Sequence, residues 1–338
     1  MLADTWLLET DQEPYCWEAA SPSSCSGQAN TFGIERPATS LDARTGAAIA
    51  AVGERVFLFG GYDPTIGAGF NDVACFDLEH RQWSSVETLG KAPPPTHSHS
   101  ACYVPPQADD CHSGTVLLFG GATEERCSNQ LHVFDPDTAT WQQPTTSGRP
   151  PCPREMHSAT LISRHKVLIS GGRGSDGRVL SDGALLDVNT WHWEPCELPA
   201  SAFPRCAHTL TSAAGGWKLY GGFTGEDVDG LLFSFDPEKL EASVICDAAS
   251  AAASASRTGS ATPAPRFAHT AVCIPRPGNR SQEEHQADPE TLLLVFGGVN
   301  PLEDLNDVVI WDQSREGCKP DERQDGSQVP LYLEEVVS

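Results

Sequence analysis

Residues 153–172 read PREMHSATLISRHKVLISGG, and the order of parts within that stretch decides the fold. An arginine stands three residues before a histidine, the histidine opens a short apolar run, and a second apolar run ends in two glycines. Runs this short, bounded by proline, glycine and aspartate, are strands and tight turns rather than helices. The opening returns as PRCAHTL (204–210) and PRFAHTA (265–271), and the glycine pair closes VFLFGG (56–61), VLLFGG (116–121), VLISGG (167–172), WKLYGG (217–222) and LLVFGG (293–298). The chain is therefore an array of one unit, whose pairs are Gly60–Gly61, Gly120–Gly121, Gly171–Gly172, Gly221–Gly222 and Gly297–Gly298.

Two further strands complete the unit. The third ends in aspartate, in VACFD (73–77), LHVFD (131–135), ALLD (184–187), LFSFD (232–236) and VVIWD (308–312). The fourth carries tryptophan six residues later, at Trp83, Trp141 and Trp193, whereas Ala242 and Cys318 fall at that place in repeats four and five. Paired glycines at a strand end permit positive φ and close approach of a neighbour that a Cβ would block. One indole per sheet suits the wedge between adjacent sheets, where it buries a large apolar area. A four-stranded sheet cannot bury both faces alone, so the units must stack, and radial stacking protects their edges.

Glycine pairs, spaced tryptophans and recurring aspartates resemble the kelch-repeat β-propellers over residues 43–313. That resemblance implies an all-β, kelch-type propeller in one domain spanning 1–338, with repeats at 43–87, 96–143, 154–196, 205–246 and 266–337. DTWLLETD (4–11) with Trp17 repeats the Asp-to-Trp spacing, so residues 1–20 read as a half-repeat; six blades, one of them incomplete, are expected, the alternative being a chain whose upstream part is missing. PLYLEEVV (330–337) is a candidate outer strand. The Ala/Ser tract 248–264 and the acidic stretch 279–290 lack the apolar content to offset ordering entropy and read as flexible insertions.

A net charge of −24 opposes nucleic acid and anionic membrane surfaces, whose phosphates it repels. No apolar stretch reaches the roughly 18 residues of a membrane span, and the N-terminus lacks the basic and apolar regions of a signal peptide. The twelve cysteines show neither C-x-x-C nor zinc-site spacing, so reduced thiols in the cytoplasm are expected.

The chemistry-bearing residues repeat with the fold. By the resemblance, His99, His157, His208 and His269 open the inner strands, and they read as packed residues where blades meet. Metal ligands must converge within about 2.0–2.2 Å of one ion, and blade-related positions stay dispersed, so no metal and no cofactor are expected. In kelch adaptors, arginines at the start of inner strands grip acidic side chains or a terminal carboxylate. The resemblance thus implies that Arg44, Arg154, Arg205 and Arg266 face a shared pocket for an acidic protein or peptide motif, through bidentate guanidinium bonds. The alternative reading has the same arginines bonding local carbonyls and acidic loops. The loops after the glycine pairs are diverse, and Tyr62, Phe70, Arg173, Arg178 and Phe223 are candidate contacts there, against a background of ordinary turn chemistry.

Templates for a nucleophile elbow, a phosphate-binding loop and a zinc protease are absent, as is the Glu-x3-Asp-x3-His pattern of iron-linked kelch enzymes. The expectation is a non-enzymatic interaction scaffold. FAHTAVCIP, a polar insertion and LLLVFGGVNPLEDLNDVV are similar to stand-alone kelch proteins, a Rab GTPase effector among them, which implies a role near GTPases or vesicles. A ubiquitin-ligase substrate receptor is the alternative and a metal-dependent kelch enzyme the third class. No BTB or F-box segment is read in these residues.

Overall fold

A computed structural model of the chain describes residues 5–9, 16–20, 41–106, 113–213, 216–246, 264–275 and 291–312. The stretch 279–290, all but the last residue of 248–264, Cys318 and PLYLEEVV lie outside the described residues. Within them every regular element is a strand.

Five blades follow the five repeats. The first consists of Ala48–Val52, Arg55–Asp63, Ala68–Asp77 and Gln82–Ser85. In the second, Ser100–Val104, Thr115–Phe119, Leu131–Asp135 and Thr140–Gln142 are joined by Leu89–Gly90, which runs parallel to the outer strand. The third has Ser158–Ser163, Lys166–Ser170, Asp182–Asp187 and His192–Glu197, with Ser147–Gly148 hooked to its edge in the same way. Thr209–Ala213, Gly216–Tyr220, Leu232–Asp236 and Glu241–Cys246 make the fourth, so Ala242 in place of tryptophan does not prevent an outer strand. The fifth contains Thr270–Pro275, Thr291–Phe296 and Val308–Asp312. All pairings between consecutive strands of a blade are antiparallel.

The second strand of each blade is largely apolar because both faces are covered, although Lys218 is buried in the middle of that strand in blade 4. Phe57 and Phe59 of blade 1 pack with Phe134 and Trp141 of blade 2, and Leu117 and Phe119 of blade 2 with Ile169 and Trp193 of blade 3. Each indole thereby fills the wedge against the preceding blade, Trp141 on Phe59 with centroids 5.8 Å apart and Trp193 on Phe119 at 5.2 Å.

The described residues form five blades and a two-stranded ribbon, Trp6–Glu9 paired with Cys16–Ala19, where six blades are expected from sequence. Trp17 packs against Phe296 of blade 5 with ring centroids 5.4 Å apart, the contact Trp141 and Trp193 make on their own preceding blades. On its other side the ribbon meets blade 1, where Trp83 Nε1 donates to Thr5 Oγ1 at 2.7 Å and Arg81 pairs with Glu18 and Glu9. The ribbon thus occupies the outer part of a sixth sector between blades 5 and 1.

A backbone relay runs around the inner ends of the blades. Ser98 N–H donates to Gly46 C=O at 2.7 Å, Met156 to Ser98 at 2.9 Å, Ala207 to Met156 at 2.7 Å and Ala268 to Ala207 at 2.9 Å. Each donor has a left-handed φ of 52–56°, a conformation non-glycine residues adopt only at a cost. The relay spans the five blades and stops at the sector that holds the ribbon.

Candidate partner-binding face

The loops between second and third strands emerge on the same side as the connections leading into each inner strand, and they build one face. Behind it lies a repeated clamp. Arg154 Nη1 donates to the Gly171 carbonyl at 2.9 Å while Nη2 bonds both oxygens of Asp182 at 2.9 and 3.0 Å. Arg205 binds the Gly221 carbonyl at 2.7 Å and Asp229 at 2.8 Å. Arg266 binds the Gly297 carbonyl at 3.0 Å and Asp307 at 2.7 and 2.9 Å, and that guanidinium holds the Asp307 carboxyl below its ordinary pKa. Arg44 repeats the geometry with the Gly60 carbonyl at 3.0 Å and Asp72 at 2.6 and 3.0 Å, its guanidinium 3.9 Å above the Phe70 ring.

Arg154, Arg205 and Arg266 are fully enclosed, and the Arg44 side chain is almost so. Each lies within its own blade, bonded to local carbonyls and to an aspartate in or just before the third strand. None of the four is brought to a common carboxylate pocket: a desolvated guanidinium requires an anion and acceptors at hand, and each blade supplies its own. Sequence reasoning missed those aspartates. A signal existed, since an aspartate stands five residues before the strand-ending one at Asp72, Asp182 and Asp307, and seven before at Asp229. Repeat two lacks both members of the pair, with Thr96 and Gln130 in their places.

The histidines explain the glycine pairs. A Cβ on Gly120 would lie 2.8 Å from His157 Cε1 of the next blade, and one on Gly172 would lie 2.8 Å from the Cβ of His157 in its own blade. His99 and His269 have the same two glycine neighbours, as does His208. His157 Nε2 shares a hydrogen bond with Ser100 Oγ at 2.8 Å and His269 Nε2 with Thr209 Oγ1 at 2.9 Å, so the ring ties one blade to the preceding one. Burial lowers the pKa of His157 and His269 to about 3 and of His99 to about 4, keeping all three neutral. Among the described residues no cluster of three or more His, Cys, Asp or Glu could hold a metal ion.

In front of the clamp lies a layer that does not repeat. The residue after each glycine pair is Tyr62, Ala122, Arg173, Phe223 or Val299, bridged respectively to Thr45, His97, Glu155, Cys206 and Phe267 of its own blade. Three residues singled out from sequence, Tyr62, Arg173 and Phe223, thus occupy equivalent places around the axis. Tyr62 packs against His97 at 5.3 Å, and half-exposed Arg173 bonds buried Glu155 at 2.6 Å. Arg178 projects farther out, 85% exposed, beside Asp176. Phe70 is held under Arg44, half-buried. His97 and Glu155 were not picked out from sequence, because their positions between arginine and histidine carry no repeated residue type.

The sequence profile of the KLHDC2/KLHL20/DRC7 Kelch-repeats domain matches residues 46–275, more than half of the chain. The chain belongs to the kelch-repeat family. The kelch chain is 31% identical over 178 residues to the Rab9 effector protein with kelch motifs of Bos taurus, covering 51% of this chain and 45% of that protein. It is 31% identical over 284 residues to Adagio-like protein 1 of Oryza sativa subsp. japonica, covering 79% of this chain and 40% of the other. Dynein regulatory complex subunit 7 of Chlamydomonas reinhardtii is 34% identical over 129 residues, 38% of this chain and 11% of that one. The chain spans less than half the length of these relatives. No helix of the described residues is long and apolar enough to cross a membrane.

Proposed function

We propose that this kelch propeller is a non-enzymatic scaffold in the cytoplasm that takes a protein or peptide partner on the face built by the loops after the glycine pairs. One observation carries the reading: a repeated clamp of arginine, aspartate, histidine and paired glycine fixes the loop bases, while the layer in front changes chemistry at every blade. A rigid support under a variable rim is how a binding surface acquires specificity. Tyr62 and Phe223 offer rigid aromatic area, and with arginine these are the residue types that dominate interface energetics. Arg173 and Arg178 put guanidinium groups on the rim of an otherwise acidic protein, where a partner's acidic motif would meet them. Arg44, Arg154, Arg205 and Arg266 act from behind by setting the loops.

The likeness to proteins named Rab9 effectors supports a place near GTPases or vesicle traffic. Affinity capture from the native cell, comparing the wild type with Tyr62→Ala/Arg173→Ala/Phe223→Ala, tests the reading. Partners specific to the wild type should be lost from a variant with an unchanged melting temperature. Full retention of those partners sinks the proposal.

A further inference from the structure

Blade 2 departs from the others where the clamp should be. Thr96 replaces arginine and turns its hydroxyl away, donating to the Pro94 carbonyl at 2.7 Å. Gln130 replaces the aspartate, and its Oε1 accepts from His132 Nε2 at 3.2 Å. In the space a guanidinium would fill lies a cavity of about 30 Å³, lined among others by Thr96, His99, Gly120, Gln130, His132 and Trp141, and reaching the surface beside Pro94 and Asp72. That is room for about two waters or one small planar group.

Three residues of this lining carry a buried side-chain atom with no hydrogen-bond partner: His132 Nδ1, Trp141 Nε1 and His99 Nδ1, the last of which His157, His208 and His269 share in the other blades. His132 and Trp141 are themselves about 95% buried. Because Nε2 of His132 carries the proton it gives to Gln130, its Nδ1 presents a lone pair, while the Trp141 indole presents an N–H. The walls therefore ask for a donor and an acceptor together. They do not ask for charge: both halves of the ion pair have been replaced by neutral residues, and an ion without a counter-charge would be costly in so enclosed a space.

We propose that this cavity is a socket for a primary carboxamide, the side chain of an asparagine or glutamine offered by the partner. Its NH₂ would donate to His132 Nδ1 and the Gly120 carbonyl, the group that accepts from arginine in the other blades, and its oxygen would accept from Trp141. The inference rests on the reading of this face as the partner surface and adds the chemistry of one anchor.

Acetamide serves as the probe, followed in nitrogen-15 NMR spectra at the Trp141 indole N–H and the His132 ring nitrogens of the full chain. Saturable shifts are expected, with a dissociation constant of roughly millimolar order for so small a ligand, while acetate and methylguanidinium give none. Thr96→Arg/Gln130→Asp restores the clamp and should abolish the shifts. Trp141→Phe, which keeps a ring but deletes the N–H, should weaken binding several-fold as read at His132. Linear, unsaturating shifts, equal shifts in the filled variant, or equal binding of acetate or methylguanidinium each overturn the proposal and leave a water site. The titration contains no partner, so its failure is separate from failure of the capture experiment.

Discussion

Arg205 and Arg44 each bond a glycine carbonyl and an aspartate, in different surroundings, and the difference decides what each is worth. Asp229 is 13% exposed and would be left buried and unpaired by Arg205→Ala, which is expected to cost about 3–5 kcal/mol. Asp72 is 45% exposed and would rehydrate after Arg44→Ala, so a loss nearer ~1 kcal/mol follows. Urea unfolding at unchanged m-value reports both, and equal midpoints would contradict the clamp. The histidines give a pH test. His157 and His269 have folded pKa values of about 3 against an unfolded value near 6.5, so between these limits the unfolded chain binds more protons. Their contribution is complete above pH 6.5 and falls away as pH drops toward 3. His157→Gln should flatten stability against pH by about 1.4 kcal/mol per unit in that window. A wild-type curve flat from pH 7 to 4.5 would contradict the neutral, buried state. Part of this was legible in advance. The recurrence of arginine and histidine marked them as repeat features, but their carboxylate and glycine neighbours come from other strands or other blades, which a one-dimensional pattern does not pair.

At the scale of the element, the glycine pair is where local conformation and blade packing meet. Gly221 has φ +63°, and a Cβ there would lie 2.5 Å from the Arg266 carbonyl oxygen and 2.6 Å from His269 Cε1. Gly53 has φ +58° in a turn with nothing within 4 Å. Gly53→Ala should therefore cost only the left-handed strain, about 1–2 kcal/mol. Gly221→Ala adds overpacking against backbone and should cost about 3 kcal/mol or more. Thermal unfolding of the two variants checks the order, and equal losses would place the glycine requirement in conformation alone. Strand order and the third and fourth strands of the unit were readable because apolar runs, aspartate and tryptophan recur in register. The blade 2 cavity was not, because it arises from what Thr96 and Gln130 leave out.

Across the whole molecule, five inner strands are tied by a relay of backbone hydrogen bonds, and the outer part of the sixth sector is taken by the ribbon through Trp17, Thr5 and Arg81. Counting repeats gave six positions; contacts of the ribbon show which two strands fill the last of them among the described residues. The axis sets Tyr62, Arg173 and Phe223 on one rim, and that convergence is the basis of the proposed function. Turns on the opposite face, such as Arg164-His165, belong to the same blades. The decisive measurement is the affinity of a captured partner for three forms: the wild type, Tyr62→Ala/Arg173→Ala/Phe223→Ala, and Arg164→Ala/His165→Ala. The rim variant should lose at least tenfold in affinity, about 1.4 kcal/mol, while the opposite-face variant matches the wild type. Undiminished affinity of the rim variant, or a larger loss from the opposite face, would contradict the assignment of the binding surface.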